Sequence, residues 1–88
     1  MADFEEAVLA VLESLGHGEV VTYGEVAEQA GFPGAARAVG SLLRRTGADV
    51  PWWRVVGAGG HIRSPEPHRQ AELLRAEGVM VAGRRIVA

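Results

Sequence analysis

Pro51-Trp52-Trp53-Arg54-Val55-Val56 sets both tryptophans of the chain side by side, between a proline that restricts the backbone and a pair of valines suited to a core. Consecutive residues of an extended segment point to opposite sides, so one indole is expected to pack inside and the other to face outward. Two upstream blocks frame this run: Val21-Thr22-Tyr23-Gly24-Glu25-Val26-Ala27 and Ala35-Ala36-Arg37-Ala38-Val39-Gly40. Thr22 followed three residues later by Glu25 has the form of a capping box, in which the threonine opens a helix and the glutamate reaches back to its amide. That short helix is expected to stop at Gly31. Pro33 favours a new start, and a third helix runs from about Gly34 to Thr46. Two short helices joined by the Gly31-Phe32-Pro33 corner make a helix-turn-helix candidate, with the third helix as its recognition element.

Around this centre, Phe4, Val8, Val11, Leu12 and Leu15 recur at three- and four-residue spacing and predict an amphipathic helix over Asp3 to Leu15, ended by Gly16 and Gly18. Gly57-Ala58-Gly59-Gly60 sets a turn within an irregular extended stretch. Ser64-Pro65 reads as an N-cap and an N1 proline, opening a helix through His68, Ala71, Leu73, Leu74 and Glu77 that Gly78 closes. Val79 to Val81 and Arg85 to Val87 flank Ala82-Gly83 as a small terminal hairpin. The expected fold is mainly α, a winged helix-turn-helix with a small β hairpin, forming one domain over residues 1–88.

The net charge of −2 argues at first against a nucleic-acid partner, because cations that neutralise phosphate usually dominate such affinity. Its distribution argues otherwise. Residues 1–28 carry seven acids and no base, while residues 29–88 carry nine arginines against Asp49, Glu66, Glu72 and Glu77, giving −7 and +5. A molecule with one basic side fits DNA binding. Every cation is arginine, which suits planar bidentate or stacking contacts, although a genome rich in arginine codons explains that choice equally well. The absence of cysteine excludes disulfides and cysteine-ligated metal. An acidic beginning without a basic and apolar leader, and no apolar run near the roughly 18 residues of a membrane span, lead to the expectation of a soluble, cytoplasmic protein that avoids membranes.

Most enzymatic chemistries fail on the residue inventory. His17, His61 and His68 lie on different expected elements and lack metal-ligand spacing. The glycine-rich run lacks the Lys-Ser/Thr of a phosphate loop and the third glycine of a dinucleotide fingerprint, since Ile62 stands there. Ser14, Ser41 and Ser64 have no neighbouring histidine in the sequence to activate them. No cofactor and no metal are expected.

In their order and spacing the three blocks resemble the DNA-binding, active-site domain of O6-alkylguanine-DNA alkyltransferases, in which the third block reads Pro-Cys-His-Arg and the cysteine accepts the alkyl group. The resemblance extends from about Phe4 to Glu77. Here Trp52 stands in the cysteine's place and Trp53 in the histidine's, so the resemblance is to the alkyltransferase-like proteins, which recognise the lesion without removing it. Those proteins usually keep Pro-Trp-His-Arg, and Trp53 departs from them. Glu77 matches the acid that orients the family's histidine; with the relay gone, it is expected to serve only as a helix C-terminal residue.

The resemblance implies a winged helix-turn-helix domain of the alkyltransferase C-terminal type and a set of roles within it. Arg37 would fill the space left by a flipped nucleotide, and Tyr23 would help rotate that nucleotide out by crowding its 3′ phosphate. Ala35, Ala36, Ala38 and Gly40 would let the recognition helix lie close against the minor groove. Trp52 would wall the lesion pocket, with Arg54, Val55 and Val56 holding it together and Arg63, Arg44 and Arg45 as further phosphate or lesion contacts. The partner implied is double-stranded DNA containing O6-alkylguanine, bound by a monomer that flags the lesion for nucleotide excision repair proteins, the acidic first helix being one candidate surface for them. Two rivals stand beside this reading. A winged helix-turn-helix regulator of undamaged DNA needs base-reading side chains, and alanine and glycine crowd around Arg37. A glycosylase-like enzyme would need Glu25 or Glu77 as its acid-base.

Overall fold

The computed structural model describes residues 3–87. Asp3 caps the first helix, α1 (Phe4–Glu13), by accepting from the Glu6 amide at 2.8 Å, and Glu5 and Glu6 place negative charge in the first turn, where the helix dipole favours it. The expected capping box is formed. Thr22 Oγ1 accepts from the Glu25 amide at 3.1 Å, and Glu25 Oε1 accepts from the Thr22 amide at 2.8 Å, opening α2 (Tyr23–Gln29). Gly31 and Gly34, at φ 91° and 87°, take the left-handed conformations that turn the chain into α3 (Ala36–Arg45). Phe32, at this corner, meets the Phe4 ring edge-on at 5.1 Å.

The strands are short. β1 (Val21–Thr22) pairs in parallel with β2 (Val55–Val56), Val21 opposite Val55 and Thr22 opposite Val56. The helix-turn-helix is therefore the crossover between two strands of one small sheet. Local pattern reading misses this pairing, because two-residue strands carry no alternation. The terminal hairpin is present as β3 (Val81–Ala82) and β4 (Arg85–Ile86), and an isolated antiparallel bridge joins His61 to Arg85. The mainly helical helix-turn-helix fold with a small hairpin is as expected.

Two local expectations are corrected. Residues Trp52–Arg54 form a turn of 3-10 helix, not an extended segment, so the two indoles are set nearly perpendicular, at 87° with centroids 6.1 Å apart. The fourth helix, α4 (Pro67–Ala76), begins two residues later than Ser64-Pro65 suggests. A residue before proline is driven out of the helical region, and Glu66, preceding Pro67, sits at φ −124°, ψ 67°. Pro67 is thus the N1 proline, while Ser64 Oγ accepts from the Glu66 amide in the preceding turn.

Two apolar clusters hold the molecule. Val8, Leu12, Val26, Val39, Leu42 and Val55 lead the first, which binds α1, α2 and α3 together. Ile62, Ala71 and Leu74 form the second, under Trp53, Val81 and Ile86. Between them Gln70, fully buried, donates from Nε2 to the carbonyls of Trp53 and Val55, both at 2.9 Å. It pins α4 to the tryptophan turn.

Candidate nucleic-acid interface

The start of α2, the exposed face of α3 and the Gly57–Ala58 loop enclose a cleft of about 690 Å3. Tyr23, Ala36, Arg37, Gly40 and Arg63, all singled out in the sequence, line it together. Arg44, named there as a further phosphate or lesion contact, does too, and so do Thr22, Ser41 and Ala58. Arg37, Gly40, Ser41 and Arg44 recur at helical spacing, so one face of α3 points into the cleft. That periodicity is the sequence signal for Ser41. A Cβ at Gly40 would touch the Tyr23 ring at 3.9 Å, and one at Gly57 would overlap Cδ and Nε of Arg63. Gly57 is therefore the seat on which the Arg63 side chain lies.

Burial pushes the Tyr23 phenol above its ordinary pKa, while the charges of Arg44 and Arg63 pull the other way. The hydroxyl remains a neutral donor, set between cationic groups that attract an anion. Next to the cleft, and sharing Tyr23, Gly40 and Arg44 with it, is a cavity of about 30 Å3 closed by Trp52, Leu43, Ser64 and Pro65. The wall made by Ser64-Pro65 lies outside regular structure, whereas Tyr23, Gly40 and Leu43 belong to helices.

Several expected site residues are elsewhere. Ala35 precedes α3 and packs against the first core cluster instead of the cleft. Val55 and Val56 are buried in β2, where parallel pairing turns them into core. Arg54 is not a cavity residue: its Nη1 donates to the Leu15 carbonyl at 2.9 Å, and Nε and Nη2 donate to Glu77 at 2.9 and 2.7 Å. These residues act behind the wall. Arg45 does not line the cleft either.

Glu77 corrects the expectation of a mere helix end. Besides Arg54 it accepts from the Gly18 amide at 2.8 Å and from the Trp53 indole Nε1 at 2.9 Å, joining three distant segments. Its hydrogen bonds from Arg54 hold the carboxyl well below the usual range, at about 2, aided by Gly18 and Trp53 and opposed by burial. The same bond raises Arg54. The Arg54 guanidinium carbon lies over the Trp53 ring, 5.4 Å from the ring centroid, and the indole at the same time places its N–H donor on the glutamate. Glu25 is committed to its capping box and Glu77 to this clamp, and a carboxyl titrating near 2 holds no proton for acid catalysis at neutral pH.

The family model for the 6-O-methylguanine DNA methyltransferase DNA-binding domain matches residues 3–79. A DNA base-flipping protein of Escherichia coli strain K12 is 45% identical over 84 residues, covering 91% of this chain. The chain spans 65% of that protein's length. A DNA base-flipping protein of Vibrio parahaemolyticus is 40% identical over 86 residues, with 93% of this chain and 86% of that protein covered. Among solved structures, S. pombe Atl1 in complex with damaged DNA containing O6-carboxymethylguanine superposes with a TM-score of 0.82 at 32% identity, over 93% of this chain and 83% of Atl1.

Proposed function

The chain belongs to the family of the 6-O-methylguanine DNA methyltransferase DNA-binding domain, and from that premise we propose that it is a non-enzymatic sensor of O6-alkylguanine in duplex DNA. The observation that carries this reading is the meeting of Tyr23, Arg37 and Arg63 on a cleft adjoining Trp52, in a chain without cysteine. Support comes also from relatives named base-flipping proteins and from the Atl1 complex with an alkylated guanine. The duplex lies across α3 with its minor groove toward Arg37. Taking a base out of the stack costs a few kcal/mol, and Arg37 fills the vacated space while Tyr23 crowds the neighbouring phosphate. The extruded base is set against Trp52, on the side of the cleft that shares Tyr23, Gly40 and Arg44 with the small cavity. Stacking on the indole returns about 1–3 kcal/mol, and each buried alkyl methylene adds about 0.8 kcal/mol.

Alkyl transfer needs a thiolate, and none exists here, so the lesion is held and not repaired. In this reading the protein works as a monomer in the cytoplasm and presents the lesion to nucleotide excision repair proteins. The test is binding to two duplexes that differ only in one guanine or O6-methylguanine, with Arg37→Ala as control. Tighter binding to the modified duplex, reduced in the variant and leaving the DNA unaltered, supports the sensor; equal affinity for both duplexes overturns it.

A further inference from the structure

The cleft accounts for Arg37, Arg44 and Arg63, and Glu77 neutralises Arg54, but a further group of basic side chains, reached through Arg63, adjoins the cleft. Segments 55–65 and 78–88 contain His61, Arg63, Arg84 and Arg85 and no acid at all. The His61–Arg85 bridge, with the Ile62 amide donating to the Arg84 carbonyl at 2.8 Å, lays the first segment against the hairpin. Directly opposed residues share a face of a sheet, and alternate residues of a strand share a face. His61, Arg63 and Arg85 therefore fall on one side. Ile62 and Ile86 fall on the other, in the second core cluster, and burial agrees: His61, Arg63 and Arg85 are exposed, Ile62 is buried and Ile86 partly so. Arg85 spends one of its five donors on the Gly59 carbonyl at 3.1 Å, which ties its side chain to the loop that continues the cleft wall.

Resting on the DNA-binding reading, we propose that His61 and Arg85 extend the cleft into a ridge that grips the phosphate backbone outside the flipped nucleotide. The ligand is a row of phosphodiester oxygens: the ridge is cationic, free of carboxylates in its own segments, and continuous through Arg63 with the wall of the cleft. Contacts of this kind position the protein on the duplex and carry no lesion information. Arg84, on the opposite face of the same hairpin, contributes nothing to them.

Salt dependence on an unmodified duplex tests the ridge. Each phosphate contact adds about 0.9 to the slope of log affinity against log salt, so a fourfold rise in salt costs about 3.5-fold in affinity for each contact. Arg85→Gln is expected to flatten the slope by about one contact, Arg85→Lys to keep it, and Arg84→Gln, with the same loss of charge, to leave it as in the parent. Equal slopes for Arg85→Gln and Arg84→Gln, whether both changed or both unchanged, overturn the proposal. If Arg85→Gln does not fold, His61→Glu replaces it: its side chain makes no hydrogen bond among the described residues, and unchanged affinity in that variant overturns the ridge equally. Because the duplex carries no lesion, failure to discriminate alkylguanine leaves this result standing, and a flat slope leaves the sensor reading standing.

Discussion

Replacing Glu77 by glutamine removes the one charge on which Gly18, Trp53 and Arg54 converge, and the structure sets the size and the pH range of the effect. The carboxyl titrates at about 2 in the fold against an ordinary value of 4.5. Between those values the unfolded chain binds more protons than the folded one, so stability rises with pH across that interval and is lost as pH falls through it. A difference of about 2.5 pK units corresponds to roughly 3 kcal/mol at neutral pH. Urea unfolding of the parent and Glu77→Gln, measured from neutral pH downward, is the assay. The parent is expected to be more stable by about 3 kcal/mol at neutral pH; about 1.4 kcal/mol of that is gone one unit below the ordinary carboxyl pKa, and the curves converge near 2. All other carboxylates are common to both proteins and cancel. A stability gap that does not change with pH refutes the clamp and leaves Glu77 a packing residue.

Trp53→Phe removes the indole donor and is expected to cost about 1 kcal/mol, whereas Trp53→His, which retains an N–H, recovers part of that loss in the same unfolding assay. Trp52→Ala should weaken binding to an O6-alkylguanine duplex by about 1–3 kcal/mol while leaving affinity for unmodified DNA as it was, read by titration of both duplexes. Gly57→Ala fits its backbone, at φ −78°, but displaces the Arg63 side chain. It should therefore reduce DNA affinity a few-fold, most at low salt, with little change in melting temperature.

What was legible in the chain was local. The capping box at Thr22 and Glu25, the apolar spacing in α1 and the glycine corner before α3 involve residues within a few positions of each other, and each formed as expected. The start of α4 is ambiguous in sequence because Pro65 and Pro67 both satisfy the N1 rule, and the restriction that Pro67 puts on Glu66 decides between them. The β1–β2 pair is not legible because strands of two residues show no period, yet it is what buries Val55 and Val56 behind the cavity. The clamp at Glu77 is hidden for the same reason at larger scale: its partner Gly18 lies 59 residues away, and nothing near Glu77 in sequence advertises four converging donors.

The parallel seam between β1 and β2 fixes how the protein tolerates change in length. Tyr23 follows β1 directly and the tryptophan turn leads directly into β2, so the pairing of Val21 with Val55 sets how far the phenol stands from Trp52. A slip of one residue would displace one side by about 3.3 Å and invert the facing of every side chain in the pair. An insertion in the exposed Gly47–Asp49 bend between α3 and Trp52 leaves that seam intact, whereas an insertion within the seam itself would detune the pocket and pull Val21 and Val55 out of the core they share with α1, α2 and α3.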